Sequence, residues 1–132
     1  MPYEEICHTA DWSIRVQAGD LPALFGESAL GMNRIAEIAL SKSPRLKRTF
    51  DAVSPEPETL LVSFLSELVF QVDHEHTAFD RFDITLADNH LHVEMSGASI
   101  QSMAKAIKAV TYHNLAIDRT EDGYSVEIVF DV

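Results

Sequence analysis

Two acidic positions near opposite ends of the chain are the residues best suited to bind a metal ion. Asp11 lies near the start, and Asp131 with Val132 forms the end of the sequence. Calcium and magnesium prefer several oxygen ligands, and a terminal Asp-Val pair supplies a side-chain carboxylate beside a main-chain carboxylate. Asp11 would add a third oxygen. A solvated terminal aspartate accounts for the same residues without an ion, so spacing alone leaves both interpretations open.

The histidines and the cysteine do not form a recognised catalytic motif. His74 and His76 are too close together for the i, i+4 pair of a helical zinc motif. His90 and His92 would share one face of a strand, which suits either a soft metal or ordinary solvent exposure. Cys7 is the only cysteine, so it forms no disulfide within the chain, and its setting favours a buried apolar role over a reactive thiol.

Motifs for nucleotide binding and nucleophilic catalysis are absent from the sequence. It contains no glycine-rich phosphate loop, nucleophile elbow or paired catalytic cysteine and histidine. An enzyme would have to use Asp11, Glu67, His113 or Asp131, which one sequence cannot bring together in space. We therefore predict that the chain has no catalytic residues of its own.

The charge of the chain is strongly acidic and unevenly distributed. A formal net charge of -11 argues against direct nucleic-acid binding, which needs a cationic surface. One basic cluster stands out, and it suits either docking to a charged surface or protection of an exposed edge strand. This cluster consists of Lys42, Arg45, Lys47 and Arg48. The acidic N-terminal residues and the lack of a long apolar run predict a cytoplasmic protein with no membrane segment.

The elements that must position these residues are two helices and a series of strands. With 132 residues and 46% hydrophobic residues, the chain is predicted to form a single domain over residues 1–132. The apolar spacing predicts a first helix that starts at Asp20 and extends to Ala39, and a second helix around the apolar stripe 60–72. Alternating patterns predict strands at 3–7, 12–18, 45–53, 79–86, 91–95, 107–117 and 124–130.

Helices in the first half followed by antiparallel strands are typical of an α+β fold. The Ala87-Asp88-Asn89-His90 segment is a hairpin signature that joins two of the strands. We therefore predict a two-layer sandwich, with a mostly antiparallel sheet and two helices packed on one face.

Several sequence blocks, taken in order, resemble the archease family. These blocks are His8-Thr9-Ala10-Asp11, Gly19-Asp20, Leu60-Leu61 with Phe64-Leu65-Ser66-Glu67-Leu68, Lys108-Ala109-Val110-Thr111-Tyr112-His113 and Asp131-Val132. The resemblance spans the chain and preserves the order of the motifs. Two departures are Trp12, where a small aliphatic residue is usual, and the stretch 96–105, which lacks a histidine often found ahead of the lysine motif.

The resemblance implies an accessory protein rather than an enzyme. Its partner would be the GTP-dependent tRNA-splicing RNA ligase, which joins a 2',3'-cyclic phosphate or 3'-phosphate end to a 5'-hydroxyl end. The family promotes transfer of GMP to a ligase histidine, supports multiple turnover and widens the range of nucleotides used. A chaperone-like interaction module and a stand-alone metal-dependent hydrolase are the alternatives, and the oligomeric state stays open.

The resemblance also implies a divalent ion, expected to be calcium, with magnesium and manganese as alternatives. By position in the family motifs, its ligands would be Asp11, Asp131 and Val132. Lys108 lies in the best-matching motif and is the residue we expect to face the ligase, although an ordinary solvent-exposed strand lysine explains it equally well.

Overall fold

The computed structural model describes the backbone of residues 3–7 and 11–132 and the side chains of residues 3, 4 and 12–132. Within these residues the chain forms two helices and nine strands. In chain order they are β1 (Tyr3–Cys7), β2 (Asp11–Ala18), α1 (Leu21–Ile35), β3 (Ala39–Leu40), β4 (Leu46–Val53), α2 (Pro57–Glu75), β5 (Thr77–Ala87), β6 (His90–Ser102), β7 (Ala109–Thr111), β8 (Ile117–Thr120) and β9 (Gly123–Asp131). Neither helix combines the length and apolar character needed to cross a bilayer.

The strands are divided between two antiparallel sheets, here called sheet 1 and sheet 2. Sheet 1 has the order β1-β2-β9-β7, and β8 also pairs with β9. Sheet 2 has the order β3-β6-β4, and β5 also pairs with β6. The predicted α+β class with mostly antiparallel strands is confirmed. The division into two sheets did not follow from the sequence, because alternation shows which face of a strand is buried but not which strand it pairs with.

Helix α1 begins where the sequence predicts but ends earlier. The Asp20 carboxylate caps it by accepting a 2.8 Å hydrogen bond from the N–H of Ala23. The helix ends at Ile35, and Glu37 then adopts a left-handed backbone conformation with φ of 53°. The predicted continuation to Ala39 is wrong, because this reversal of direction takes Ala39 into β3.

The predicted strand at 107–117 is also wrong as a single element. Only Ala109–Thr111 forms β7, and β8 starts at Ile117. Between them a turn is closed by a 3.0 Å hydrogen bond from the N–H of Leu115 to the carbonyl oxygen of Tyr112, with Asn114 at φ of 62°. The hairpin predicted between β5 and β6 is confirmed, with Asp88 and Asn89 both at positive φ.

Both helices pack against both sheets around one hydrophobic core. Helix α1 contacts β2 and β5, and α2 contacts β4, β5 and β7. Phe64 on α2 lies at the centre of an aromatic cluster, stacked on Phe25 at 6.4 Å and edge-on to Phe82 at 5.7 Å between ring centroids. Strand β9 contributes the buried residues Val126, Ile128 and Phe130. The exposed Asp131 therefore follows a core residue directly.

Candidate functional site

The end of sheet 1 brings together three parts of the chain that are far apart in sequence. Asp131, the last residue of β9, lies opposite Asp11 of β2 on one side and Ala109 of β7 on the other. The N–H of Lys108 donates a 2.8 Å hydrogen bond to the carbonyl oxygen of Asp131. The backbone register therefore places the first motif, the lysine motif and the last residues at one sheet end.

The main chain around Asp131 is anchored on both sides. Phe130 is fully buried, and Val132 is half-buried and packs against the hydrophobic core. Asp131 lies between them with its side chain exposed. Because burial of the neighbours fixes the backbone, the Asp131 carboxylate faces solvent at a defined position, which suits an ion-binding role.

Of the three predicted ion ligands, Asp131 and Val132 have described side chains. The backbone of Asp11 opens β2, but its side chain lies outside the described residues, as do residues 8–10 of the same motif. The side chain of Cys7, whose reactive-thiol role was the less favoured interpretation, and His8 also lie outside them. Among the described side chains, no three His, Cys, Asp or Glu residues are arranged to hold a metal ion. The three-ligand site stays a prediction supported by the register.

The segment that leads into β7 is fixed beside this sheet end. The N–H groups of Ala104 and Lys105 both donate to the carbonyl oxygen of Ala36, at 3.0 and 3.2 Å. The Lys105 ammonium lies 4.1 Å from the centre of the Trp12 ring, a cation–π contact. Trp12, which departs from the family pattern, thus has a partner in the same segment that carries the exposed Lys108.

Two side chains of the lysine motif, Val110 and Tyr112, have structural roles. Val110 is buried in the core. The hydroxyl of Tyr112 shares a 2.9 Å hydrogen bond with Thr59 near the start of α2, and Glu58 accepts a 3.0 Å hydrogen bond from the N–H of Ile117. These bonds tie the segment that follows β7 to α2. Within this motif, Lys108 is an exposed cation whose backbone N–H bonds to Asp131.

Three other candidate residues have ordinary surface settings. Glu67 is half-buried on α2 and accepts a 2.8 Å hydrogen bond from Gln71 one turn along the helix. His113 is exposed in the turn after β7. His74 stacks on Phe70, with 4.4 Å between ring centroids, near the end of α2. The contacts of Glu67 and His74 account for these two side chains without a catalytic or metal-binding role.

Two histidines and an aspartate form a cluster on sheet 2, of which the sequence predicts only the two histidines. His90 and His92 share one face of β6, as predicted, and His90 Nε2 and His92 Nδ1 lie 2.9 and 2.7 Å from the same oxygen of Asp51 on β4. The hydrogen bond that His92 donates to the Asp51 carboxylate raises the pKa of His92, and the two histidines lower the pKa of Asp51. Asp51 was missed because its proximity depends on the pairing of β4 with β6, which the sequence does not show.

The sequence and fold are those of a known family. The family model described as "Archease protein family (MTH1598/TM1083)" matches residues 3–132. The chain belongs to the archease family. The resemblance inferred from the sequence blocks is thereby confirmed.

Relatives named "Protein archease" match this chain over almost their whole length. The relative from Methanosarcina acetivorans is 29% identical over 143 aligned positions, which cover 98% of this chain and 95% of the relative. That from Thermoplasma volcanium is 29% identical over 136 positions, which cover 100% of both chains. A solution structure of Methanobacterium thermoautotrophicum protein 1598 has a TM-score of 0.74 at 20% identity, covers 99% of both chains, and supports the archease fold.

Proposed function

We propose that this archease-family chain is an accessory protein of the GTP-dependent tRNA-splicing RNA ligase. It promotes guanylylation and multiple turnover of the ligase in tRNA splicing and RNA repair, widens nucleotide use, and carries no catalytic residue itself. Family membership supports this role. The observation that carries it is the position of Asp131, opposite Asp11 and hydrogen-bonded through its backbone to Lys108.

We also propose that this sheet end holds a divalent cation. Asp11 and Asp131 would supply carboxylate oxygens, and Val132 would supply main-chain oxygen, a donor set that suits calcium or another hard cation such as magnesium or manganese. When bound, the ion would supply positive charge that neutralises the carboxylates that hold it. The half-buried Val132 side chain supports the fit, because it anchors the backbone next to Asp131.

Lys108 is the proposed contact with the ligase. Its backbone N–H is committed to Asp131, whereas its exposed side chain is available to an anionic group of a partner. The register fixes where that cation emerges, directly before β7 and beside the acidic sheet end. Because a cation and carboxylates lie at adjacent positions, a partner with the complementary charges would bind this surface in one orientation.

Guanylylation of the cognate ligase under multiple turnover tests the proposal. Asp11→Ala and Asp131→Ala should lose stimulation, while Asp118→Ala, which removes an exposed carboxylate from β8 of the same sheet, should retain it. Stimulation by both site variants at the wild-type level would contradict the ion site. A wild-type chain that leaves the ligase unaffected, or that hydrolyses phosphoesters alone, would contradict the accessory role.

A chaperone-like interaction module is the alternative function. It is motivated by the net charge of -11, a property that bears on association with partners rather than on the fold. Pull-down at moderate salt separates the two functions. A ligase accessory protein should recover one dominant partner, whereas a chaperone-like module should recover many.

A further inference from the structure

An open groove of about 740 Å³ crosses the outer face of sheet 2. The inner face of the middle strand β6 is buried through Leu91, Val93 and Met95, so the alternate residues face the groove. Six groove residues alternate in this way on β4, β5 and β6. They are Lys47, Thr49, Arg81, Asp83, Glu94 and Ser96.

One end of the groove is cationic. Lys47 and Arg81 lie opposite Ser96 from the two sides, so they occupy one row about 10 Å across, given the spacing of neighbouring strands. Both side chains are exposed, as is Arg48, whose guanidinium donates to the carbonyl oxygen of Lys47 at 2.8 Å. None of these three cations forms an ion pair within the part of the chain that the structure describes. Their charge is therefore available to a partner.

Arg45 has a different role from its neighbours. It pairs with Asp80 at 2.7 Å and donates to the Ser96 hydroxyl at 2.9 Å. Asp80 lies where the register of β5 against β6 shifts, between Phe79 and Arg81. Arg45 thus braces a bulge at the end of the groove, and the sequence-predicted basic cluster divides into a paired arginine and unpaired cations.

The next row of the groove is acidic. Thr49, Glu94 and Asp83 lie opposite one another, two residues along the strands from the cationic row, which corresponds to about 7 Å. Every linkage of an RNA backbone is negative, so RNA crossing the groove would meet these carboxylates and a chain of net charge -11. A protein segment, in contrast, can carry both kinds of group. Its carboxylates would pair with the cationic row, and its N–H, hydroxyl or ammonium groups would donate hydrogen bonds to the acidic row.

We propose that this groove docks an acidic segment of a partner protein, whose carboxylates pair with Lys47 and Arg81. Residues of the same segment that donate hydrogen bonds face Glu94 and Asp83 and set its direction across the sheet. The surface goes beyond the proposed function, because it uses other residues than the Asp131 sheet end. The positive charge on the edge strand β4 also opposes its pairing with a strand of another chain. A docked acidic segment would bind to the same charge.

Fluorescence anisotropy at low salt tests the proposal with two probes of matched charge. One is a labelled peptide of four Glu-Thr repeats, and the other is an RNA pentanucleotide with four phosphodiester charges. We expect the wild type to bind the peptide more tightly than the RNA. Reversal of two groove charges, Lys47→Glu with Arg81→Glu, should weaken peptide binding about tenfold, since two attractive pairs become repulsive.

A matched control reverses two exposed arginines elsewhere, Arg34→Glu with Arg119→Glu, and should leave peptide binding within about twofold of wild type. Equal loss in both variants, tighter binding of RNA than of peptide, or no peptide binding would overturn the proposal. So would salt-dependent self-association that requires Lys47 and Arg81, which would make a second copy the occupant. Asp131 is unchanged in every variant, so these outcomes do not bear on the ligase proposal, which the guanylylation assay tests separately.

Discussion

The main-chain N–H of Lys108 donates a 2.8 Å hydrogen bond to the main-chain carbonyl oxygen of Asp131. This bond extends the pairing of β7 with β9 by one residue beyond Ala109 and fixes the backbone at the acidic sheet end. It also separates two roles of one residue. The backbone of Lys108 holds Asp131 in place, whereas its exposed ammonium is available to a partner.

Substitutions at Lys108 should therefore separate stability from partner contact. Lys108→Pro removes the donor to Asp131 and should lower the free energy of unfolding by roughly 1–3 kcal/mol. Lys108→Ala keeps the donor and should change it by less than about 0.5 kcal/mol while reducing ligase stimulation. Urea unfolding and the guanylylation assay measure the two effects. Equal stability of the two variants would contradict the structural role of the bond.

Asp131→Asn should weaken calcium binding without unfolding the chain. It removes one negative charge from the proposed ligand set at an exposed position, so we expect affinity to fall about tenfold or more. Isothermal titration calorimetry measures the affinity, and the fluorescence of Trp12, the only tryptophan, reports on the strand that Asp11 opens. Asp118→Asn is the matched control. Calcium should raise the unfolding temperature of wild type and leave that of Asp131→Asn less changed.

Two glycine substitutions should change stability in opposite directions. A Cβ at Gly97 would lie 2.7 Å from the Cα of Phe79 and collide with the carbonyl oxygen of Ala78, and this backbone cannot move aside cheaply. Gly97→Ala should destabilise the fold by about 3 kcal/mol or more. Among the atoms that the structure describes, a Cβ at Gly26 in α1 meets only Ile84 Cδ1, at 3.7 Å, so Gly26→Ala should stabilise the fold by about 0.5–1 kcal/mol.

Thermal and urea unfolding of both alanine variants provide the measurement. Both substitutions add one methyl group. The difference between their changes in unfolding free energy therefore reports the space around each glycine and not a general effect of alanine. A Gly97→Ala variant as stable as wild type would show that β5 and β6 are not packed as closely as described. A destabilised Gly26→Ala variant would contradict the open space beside α1.

The charge of His92 should depend on Asp51. The hydrogen bond to Asp51 raises the pKa of His92 above 6.5, and nearby Glu94 and Asp83 act in the same direction. Stability from this raised pKa is fully present below pH 6.5 and is lost as pH rises through the folded-state pKa. The pKa of Asp51 is lowered from 3.8 by His92 and His90, so its contribution is present above pH 3.8 and is lost as pH falls.

An NMR titration of the histidine ring protons tests this coupling. Asp51→Asn should lower the pKa of His92 towards 6.5, and Glu94→Gln should lower it less, because the Glu94 contribution is purely electrostatic across 3.8 Å. A pKa of His92 that does not move in Asp51→Asn would show that the hydrogen bond is not formed in solution.

Local signals in the sequence predicted the elements well where side-chain chemistry acts on near neighbours. Asp20 caps α1 through Ala23, three residues away, and Asp88 with Asn89 adopts the positive φ angles of a tight hairpin. The errors came where the backbone reverses without a glycine or proline. Glu37 ends α1 before Ala39, and Asn114 interrupts the strand predicted from 107 to 117, both with positive φ.

The sequence by itself determined the family, the α+β class and the identity of the candidate ion ligands, because these are carried by residue types and by patterns along the chain. Only the tertiary structure decided which residues meet. Antiparallel register places Asp131 between Asp11 and Ala109, and it sets Lys47 and Arg81 around Ser96. Register depends on which strands bury their apolar faces against a shared core, a cooperative property of the whole fold that no local pattern contains.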